Sequence, residues 1–173
     1  VYIKFVITYI KGDAMVPQAA GPKLIVHICN DIGKWGKGFV LAVSKRWPHA
    51  RQLYLDWYNG KRVDNPTKGK IVLTTGDCEL GRVQLVEAIP YDTFVVNMVA
   101  QKGVGTGSKG PPIRYDALER CLEATEMLAG WLHCTVHMPR IGTGLAGGKW
   151  EKIEPLIEKA FGDRSVYIYD FDG

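Results

Sequence analysis

The 173-residue chain is 46% hydrophobic and carries a formal net charge of +4. That length and apolar content exclude a disordered chain and fit one domain, residues 1–173, built around a single core. No apolar run reaches the roughly 18–20 residues of a membrane span, and the charge falls short of the bias expected of a non-specific nucleic-acid binder.

The first stretch, Tyr2–Ile10, is apolar and β-branched, and predicts a strand rather than a signal peptide. Gly12-Asp13 ends it. Asp13 can cap the following turn or accept a hydrogen bond from an exocyclic amine. A second strand is predicted over Leu24–Cys29, then a glycine-rich turn over Asn30–Gly38, then helices over Phe39–Trp47 and Ala50–Tyr58. Strands follow at Lys70–Thr75, Val83–Ile89 and Phe94–Ala100. The first two are joined by a turn near Gly76-Asp77 and Leu80-Gly81, so part of the sheet is expected to be antiparallel. Gln101–Ile113 is the longest irregular segment, and it leaves the end of a strand, where open α/β sheets hold ligands. Leu118, Cys121, Leu122, Thr125, Leu128 and Leu132 recur with helical period and predict a helix over Tyr115–Leu132. A strand at Thr135–Met138, a helix at Trp150–Phe161 and a strand at Ser165–Tyr169 complete the pattern. Pro155 is expected in the first turns of that helix or at a kink. The alternation predicts helices on both sides of a mixed sheet.

Two glycine-rich turns stand out. Pro139-Arg140-Ile141-Gly142-Thr143-Gly144-Leu145-Ala146-Gly147-Gly148 and Asn30-Asp31-Ile32-Gly33-Lys34-Trp35-Gly36-Lys37-Gly38 each run from a strand to a helix. Such turns expose several backbone N–H groups at one point, a geometry suited to phosphate. Two of them suggest a diphosphate held between them. Seven Lys/Arg and one acid, Asp56, lie between Lys34 and Arg62. They form either a solvated helix face or a positive field that draws in an anion.

Other motifs are weaker. Gly142-x-Gly144-x-x-Gly147 and Gly105-x-Gly107-x-x-Gly110 match the dinucleotide fingerprint formally, but the first strand–loop–helix unit lacks it, so a Rossmann-type enzyme ranks low. There is no Walker A sequence. His27 and His137 lie within strands and read as core histidines; His49 and His133 lie at helix ends. No serine or cysteine nucleophile is paired with a base. The four cysteines have no C-x-x-C spacing, so zinc and redox motifs are not expected, and the chain as a whole is expected to carry no metal and no cofactor. Cys29, Cys121 and Cys134 read as reduced, buried thiols of a cytoplasmic protein. Tyr167, Tyr169 and Phe171 alternate along the last strand and share one face, as core packing or as a platform for adenine.

Gly12-Asp13, His27-Ile28-Cys29-Asn30-Asp31, Trp35-Gly36-Lys37-Gly38, Pro139-Arg140-Ile141-Gly142-Thr143-Gly144 and Tyr167-Ile168-Tyr169-Asp170-Phe171, in that order, resemble the macro domain family, which binds ADP-ribose. The similarity covers nearly the whole chain. Val99-Ala100-Gln101 adds a resemblance to the branch that holds a chromatin-remodelling helicase macro domain, the terminal ADP-ribose protein glycohydrolase and a yeast ADP-ribose-1″-phosphate phosphatase. The resemblance implies a three-layer α/β/α fold with a mixed, mostly parallel central sheet. It implies that Asp13, beside Gly12, recognises the adenine amine, and that Phe171 and Tyr169 line the adenine. It implies that the backbones of Gly36, Lys37, Gly38 and of Ile141, Gly142, Thr143, Gly144 and Leu145 clamp the diphosphate, and that Asn30 sits near the distal ribose. Trp35, Ala100, Gln101, Pro139 and Arg140 complete the implied ligand-binding set.

Two departures bear on chemistry. The glycohydrolase carries a lysine where this chain has Gln101, with Lys102 one place later, and an aspartate where it has Ala146. Two functions are therefore expected. One is an ADP-ribosyl hydrolase, a monomer needing no cofactor, that frees ADP-ribose from acidic side chains or a related 1″-ester by water attack. Its substrate is ADP-ribosylated protein or nucleic acid. Asn30, Asp31 and Gln101 would orient ribose and water, with Asp31 as general base or as a turn residue bonding its own backbone. The other is a non-catalytic ADP-ribose or poly-ADP-ribose reader, which the missing lysine and aspartate favour. The chain is expected to be a stand-alone domain without an attached effector, which favours the hydrolase.

Overall fold

A run of β-branched and aromatic residues, repeated seven times, builds the sheet at the centre of the fold. The computed structural model describes residues 7–61, 71–105 and 110–171. Its strands are β1 (Ile7–Lys11), β2 (Lys23–Asn30), β3 (Val72–Thr74), β4 (Val83–Ile89), β5 (Thr93–Gln101), β6 (Thr135–Pro139) and β7 (Val166–Asp170). Its helices are α1 (Phe39–Arg46), α2 (Pro48–Tyr58), α3 (Tyr115–Leu132) and α4 (Trp150–Phe161). The expected residues Tyr2–Val6, Arg62, Lys70 and Gly107 lie outside the described residues.

The strand order is β1-β7-β6-β2-β5-β4-β3. β1, β7, β6, β2 and β5 are joined by parallel pairings, while β4 pairs antiparallel with both β5 and β3. The mixed, mostly parallel sheet matches the expectation.

Alternation along the strands divides the core into two layers. Leu24, Val26, Val96 and Met98 face α3 and α4, meeting Leu118, Cys121, Leu122, Ile153 and Ile157. Ile25, Cys29, Val95 and Val99 face α1 and α2, meeting Val43, Ala50, Tyr54 and Trp57. The central strands are covered on both faces and so read as near-continuous apolar runs; all of β5 except Gln101 is buried. The result is three layers, α/β/α.

Helix ends follow local chemistry. α2 begins at Pro48, two residues before the expected start, because a proline suits the first helical position. His133 ends α3 in a left-handed conformation at φ 56°. Pro155 lies inside α4 and removes the donor for the Glu151 carbonyl. β3 is shorter than expected, as an edge strand with one neighbour. Cys29, Cys121 and Cys134 are free and buried. Among the described residues no helix is long and apolar enough to cross a membrane.

Candidate functional site

Five neighbouring parallel strands end at one edge of the sheet, and the residues expected at the site follow those ends. Gly12 and Asp13 follow β1, Asp31 follows β2, Gln101 ends β5, Arg140 follows β6 and Phe171 follows β7. Sequence separation disappears because the strands are parallel.

β2 and β6 pair only at their starts, from Lys23↔Thr135 to Ile25↔His137. Beyond that register they part. The chain leaves β2 toward α1 on one face of the sheet and leaves β6 toward α4 on the other. Neighbouring strands whose connections diverge open a crevice at their carboxyl ends. A cavity of about 270 Å³ fills it, bounded by His27 and Ile28 of β2, Gly38–Val40, and Pro139–Gly142 with Gly144–Ala146. A second cavity, about 540 Å³, adjoins it and is bounded by Asn30, Lys34, Gly36, Lys37, Gln101 and Val104. The two share Ile28, Lys37, Val40, Gln101 and Leu145. Sites for small molecules occupy volumes of this order.

The first glycine turn is organised by Asn30. Its Oδ1 accepts from the backbone N–H groups of Ile32 and Lys34, both at 3.1 Å, and its Nδ2 donates to the Lys34 carbonyl at 2.6 Å. The Tyr54 hydroxyl donates to the Asn30 carbonyl at 2.6 Å. The turn ends at Gly38, whose φ of 82° is in the left-handed region, and no side chain caps α1. The N–H groups of Phe39 and Val40, which open α1 at the cavity wall, therefore have no side-chain cap. Lys34 and Lys37 at its rim have no ion-pair partner among the described residues.

The second turn is held by Gly148 N–H to the Gly142 carbonyl at 2.7 Å and by Gly147 N–H to the Gly144 carbonyl at 3.0 Å. Gly142 has φ 75°, and a Cβ there would stand 2.6 Å from Ile113 Cδ1. Only glycine fits. The Thr143 hydroxyl is spent on the Arg140 carbonyl at 2.8 Å. Gly144 and Leu145 stay exposed at the cavity wall.

Other expected residues are placed differently. Asp31 does not bond its own backbone as a turn residue. Its Oδ1 accepts from Gly103 N–H at 2.7 Å, on the loop after β5. Gln101 lines both cavities, and its Nε2 donates to the Gly103 carbonyl at 3.0 Å. Trp35 is buried behind the turn, packed on His27 and Tyr54. Ala100 is fully buried, with its carbonyl accepting from Arg114 N–H. The Arg140 guanidinium is bidentate on Asp170, at 2.5 and 3.1 Å, and lies over the Tyr9 and Trp150 rings. That side chain is committed to a neighbouring strand end, so Arg140 reaches the cavity without a free guanidinium.

At the β1 end, Asp13 Oδ1 accepts from Met15 N–H at 2.8 Å and caps the turn. Tyr169 is buried. Its hydroxyl accepts from Gln18 N–H and meets His137 Nδ1, both at 2.8 Å. His137 also stacks on Tyr167. Phe171 is 70% exposed, an open ring beside the Gly12-Asp13 turn through the paired ends of β1 and β7. Tyr169 is thus a buried packing residue, Tyr167 is half-buried against His137, and Phe171 is the exposed ring of the three.

Sequence reasoning missed Tyr54, Val104 and the apolar walls Ile28 and Val40. Nothing local marks Tyr54, which reaches Asn30 from a helix on the face of the sheet.

No protein-family model matches the chain. Among solved structures it is similar to a protein of unknown function from Bacteroides thetaiotaomicron, 44% identical with TM-score 0.82, over 95% of this chain and 97% of that one. DarTG of Thermosipho africanus, solved in complex with ADP-ribose, shares the fold at 16% identity and TM-score 0.69, over 98% of this chain and 42% of that one. In sequence the chain is 30% identical over 169 residues to Chromodomain-helicase-DNA-binding protein 1-like of Mus musculus, covering 95% of this chain. It spans only 18% of that relative's length. It is 22% identical to the ADP-ribose 1''-phosphate phosphatase of Saccharomyces cerevisiae, over 94% of this chain and 97% of that one. A macrodomain protein from Streptomyces coelicolor is 41% identical with TM-score 0.75, over 95% of this chain and 98% of that one. Identity at that level across both full lengths, on one shared fold, shows that the chain belongs to the macrodomain family.

Proposed function

We propose that this macrodomain binds ADP-ribose and hydrolyses ADP-ribosyl ester linkages, freeing ADP-ribose from acidic side chains or related 1″-linked derivatives. The observation that carries the proposal is the pair of glycine turns facing each other across the crevice where β2 and β6 part. Uncapped N–H groups from α1 on one side and the Gly142–Leu145 turn on the other suit a diphosphate, and backbone donors to an anion are strong. Lys34 and Lys37 add positive charge at the rim. Asp13 and Phe171 at the β1 and β7 ends suit adenine, leaving the larger cavity, with Asn30 and Gln101, for the distal ribose.

In this scheme the chemistry needs no lysine Schiff base. Gln101 stands at the loop position and Lys102, beside it, is exposed. A water held near the diphosphate attacks the ester. Asn30 shapes the turn, Gln101 orients the ribose, and Asp31, next to Asn30 and tied to the loop after β5, takes the proton in this reading. The name of the yeast phosphatase and the ligand in the DarTG structure are consistent with this substrate class.

The second reading is a non-catalytic reader. Ala146 bounds the inner cavity where the glycohydrolase resemblance expects an aspartate, which favours it. Titration calorimetry with ADP-ribose, against AMP, tests the shared part of both readings. ADP-ribose-selective heat supports the site, and silence removes it. Release of ADP-ribose from glutamate-linked peptides then separates hydrolase from reader.

A further inference from the structure

One polar side chain in the wall of the inner cavity is not used by the proposed function. His27, 1% exposed, borders that cavity from β2. Its Nε2 lies 2.5 Å from Asn97 Oδ1, and its Nδ1 has no hydrogen-bond partner among the described residues. The ring is held by Trp35 and Phe39, at centroid distances of 5.5 and 5.7 Å.

A chain of amides settles which nitrogen carries the proton. The Leu53 carbonyl can only accept, so Gln84 presents its Nε2 there, at 3.0 Å. Gln84 Oε1 then faces Asn97, which must donate through Nδ2, at 3.0 Å. Asn97 is left with Oδ1 toward His27, so His27 donates through Nε2. Gln84, Asn97 and His27 stand in register across β4, β5 and β2, and all three are buried. With Nε2 the donor, Nδ1 is a bare lone pair. Burial also pushes the imidazole down to about 4, so it stays neutral near pH 7.

A buried acceptor without a donor costs free energy unless a ligand or water satisfies it. A lone pair repels phosphate oxygens and receives an O–H. We infer that His27 Nδ1 is a ligand-contacting acceptor that takes a hydrogen bond from a hydroxyl group in the inner cavity, supplied by a bound sugar or by a water that the ligand traps. The inference rests on the ADP-ribose reading. It adds a discriminating element: the glycine turns select for anion, and His27 selects for a hydroxyl beside it.

The test is long-range proton–nitrogen NMR of the histidine rings in the ¹⁵N-labelled protein, titrated with ADP-ribose and separately with ADP. His27 should appear with the proton on Nε2 and with Nδ1 unprotonated. Its Nδ1 resonance should move toward the hydrogen-bonded range when ADP-ribose binds. Movement with ADP-ribose but not ADP assigns the hydroxyl to the distal ribose; movement with both assigns it to the proximal ribose or a trapped water. A proton on Nδ1 overturns the inference, as does an unmoved Nδ1 while calorimetry reports binding. Absence of binding heat instead removes the ADP-ribose reading, and this inference with it. As a second arm, His27→Leu should weaken ADP-ribose binding about tenfold, the loss of one hydrogen bond, with AMP binding falling alongside it only where both ligands moved the Nδ1 resonance. Unchanged ADP-ribose affinity in folded His27→Leu would mark a purely structural histidine.

Discussion

Asp31 Oδ1 accepts a hydrogen bond from the backbone N–H of Gly103 at 2.7 Å and so ties the loop after β2 to the loop after β5. The reverse strand, Asp31 N–H to the Gln101 carbonyl at 3.0 Å, closes the same junction. The residue that the proposed chemistry uses as a base is also a clasp between two loops. Asp31→Asn separates these roles, because the amide oxygen still accepts from Gly103 while the basic carboxylate is gone. ADP-ribose affinity should be kept and ester hydrolysis should fall roughly 100-fold. Unchanged turnover in Asp31→Asn, measured on glutamate-linked ADP-ribose, would leave Asp31 as the clasp alone.

Glycines in the second turn divide by what surrounds them. At Gly142, φ is 75° and a Cβ would meet Ile113, Ile153 and Ile28. Gly142→Ala should lower stability by about 2 kcal/mol and abolish ADP-ribose binding. Gly144 has open space around it and no unusual φ. Gly144→Ala should leave the unfolding free energy, measured in urea, within about 0.5 kcal/mol of the parent but weaken ADP-ribose at the cavity wall. Equal loss of stability in both variants would contradict the geometry.

The Tyr169 hydroxyl joins the Gln18 backbone to buried His137. Tyr169→Phe leaves both without that partner and should cost about 1–3 kcal/mol. Because Gln18 belongs to the loop that follows Asp13, AMP affinity should fall as well. Chemical denaturation with AMP calorimetry on the same variant checks both effects.

Burial holds His27 and His137 at about 4, below the ordinary 6.5. Both are neutral in the fold, whereas the unfolded chain takes up protons below about 6.5. Stability from these groups is therefore fully present above pH 6.5, falls as pH drops through the 6.5-to-4 window, and levels off below it. For His27 alone the loss is at most roughly 3 kcal/mol. Urea midpoints measured between pH 7.5 and 4.5 should decline steadily; a flat profile would mean that the imidazoles charge inside the fold.

Local pattern carried most of the architecture. Tyr115–Leu132, Trp150–Phe161 and Val83–Ile89 match their expected bounds, because apolar period is set by the element's own geometry and needs no distant partner. β2, β5 and β6 each run a residue further than expected at their carboxyl ends, into Asn30, Gln101 and Pro139. Pairing with a neighbouring strand, rather than apolar content, carries them there. The two glycine turns were legible for the same reason as the helices: the backbone they need is a property of their own residues.

The sequence by itself determined the order of the elements, the two turns and the polar residues that end each strand. Only the tertiary structure decided which of those polar groups are free. Arg140 is taken by Asp170, Asn30 by its own turn and Tyr54, Tyr169 by His137 and Gln18, and Asp31 by Gly103. His27 keeps an unspent nitrogen because an amide chain from Leu53 commits the other. Most of these partners lie tens of residues away along the chain. A hydrogen bond depends on ångström separations and directions, which a local pattern does not contain and a parallel sheet supplies.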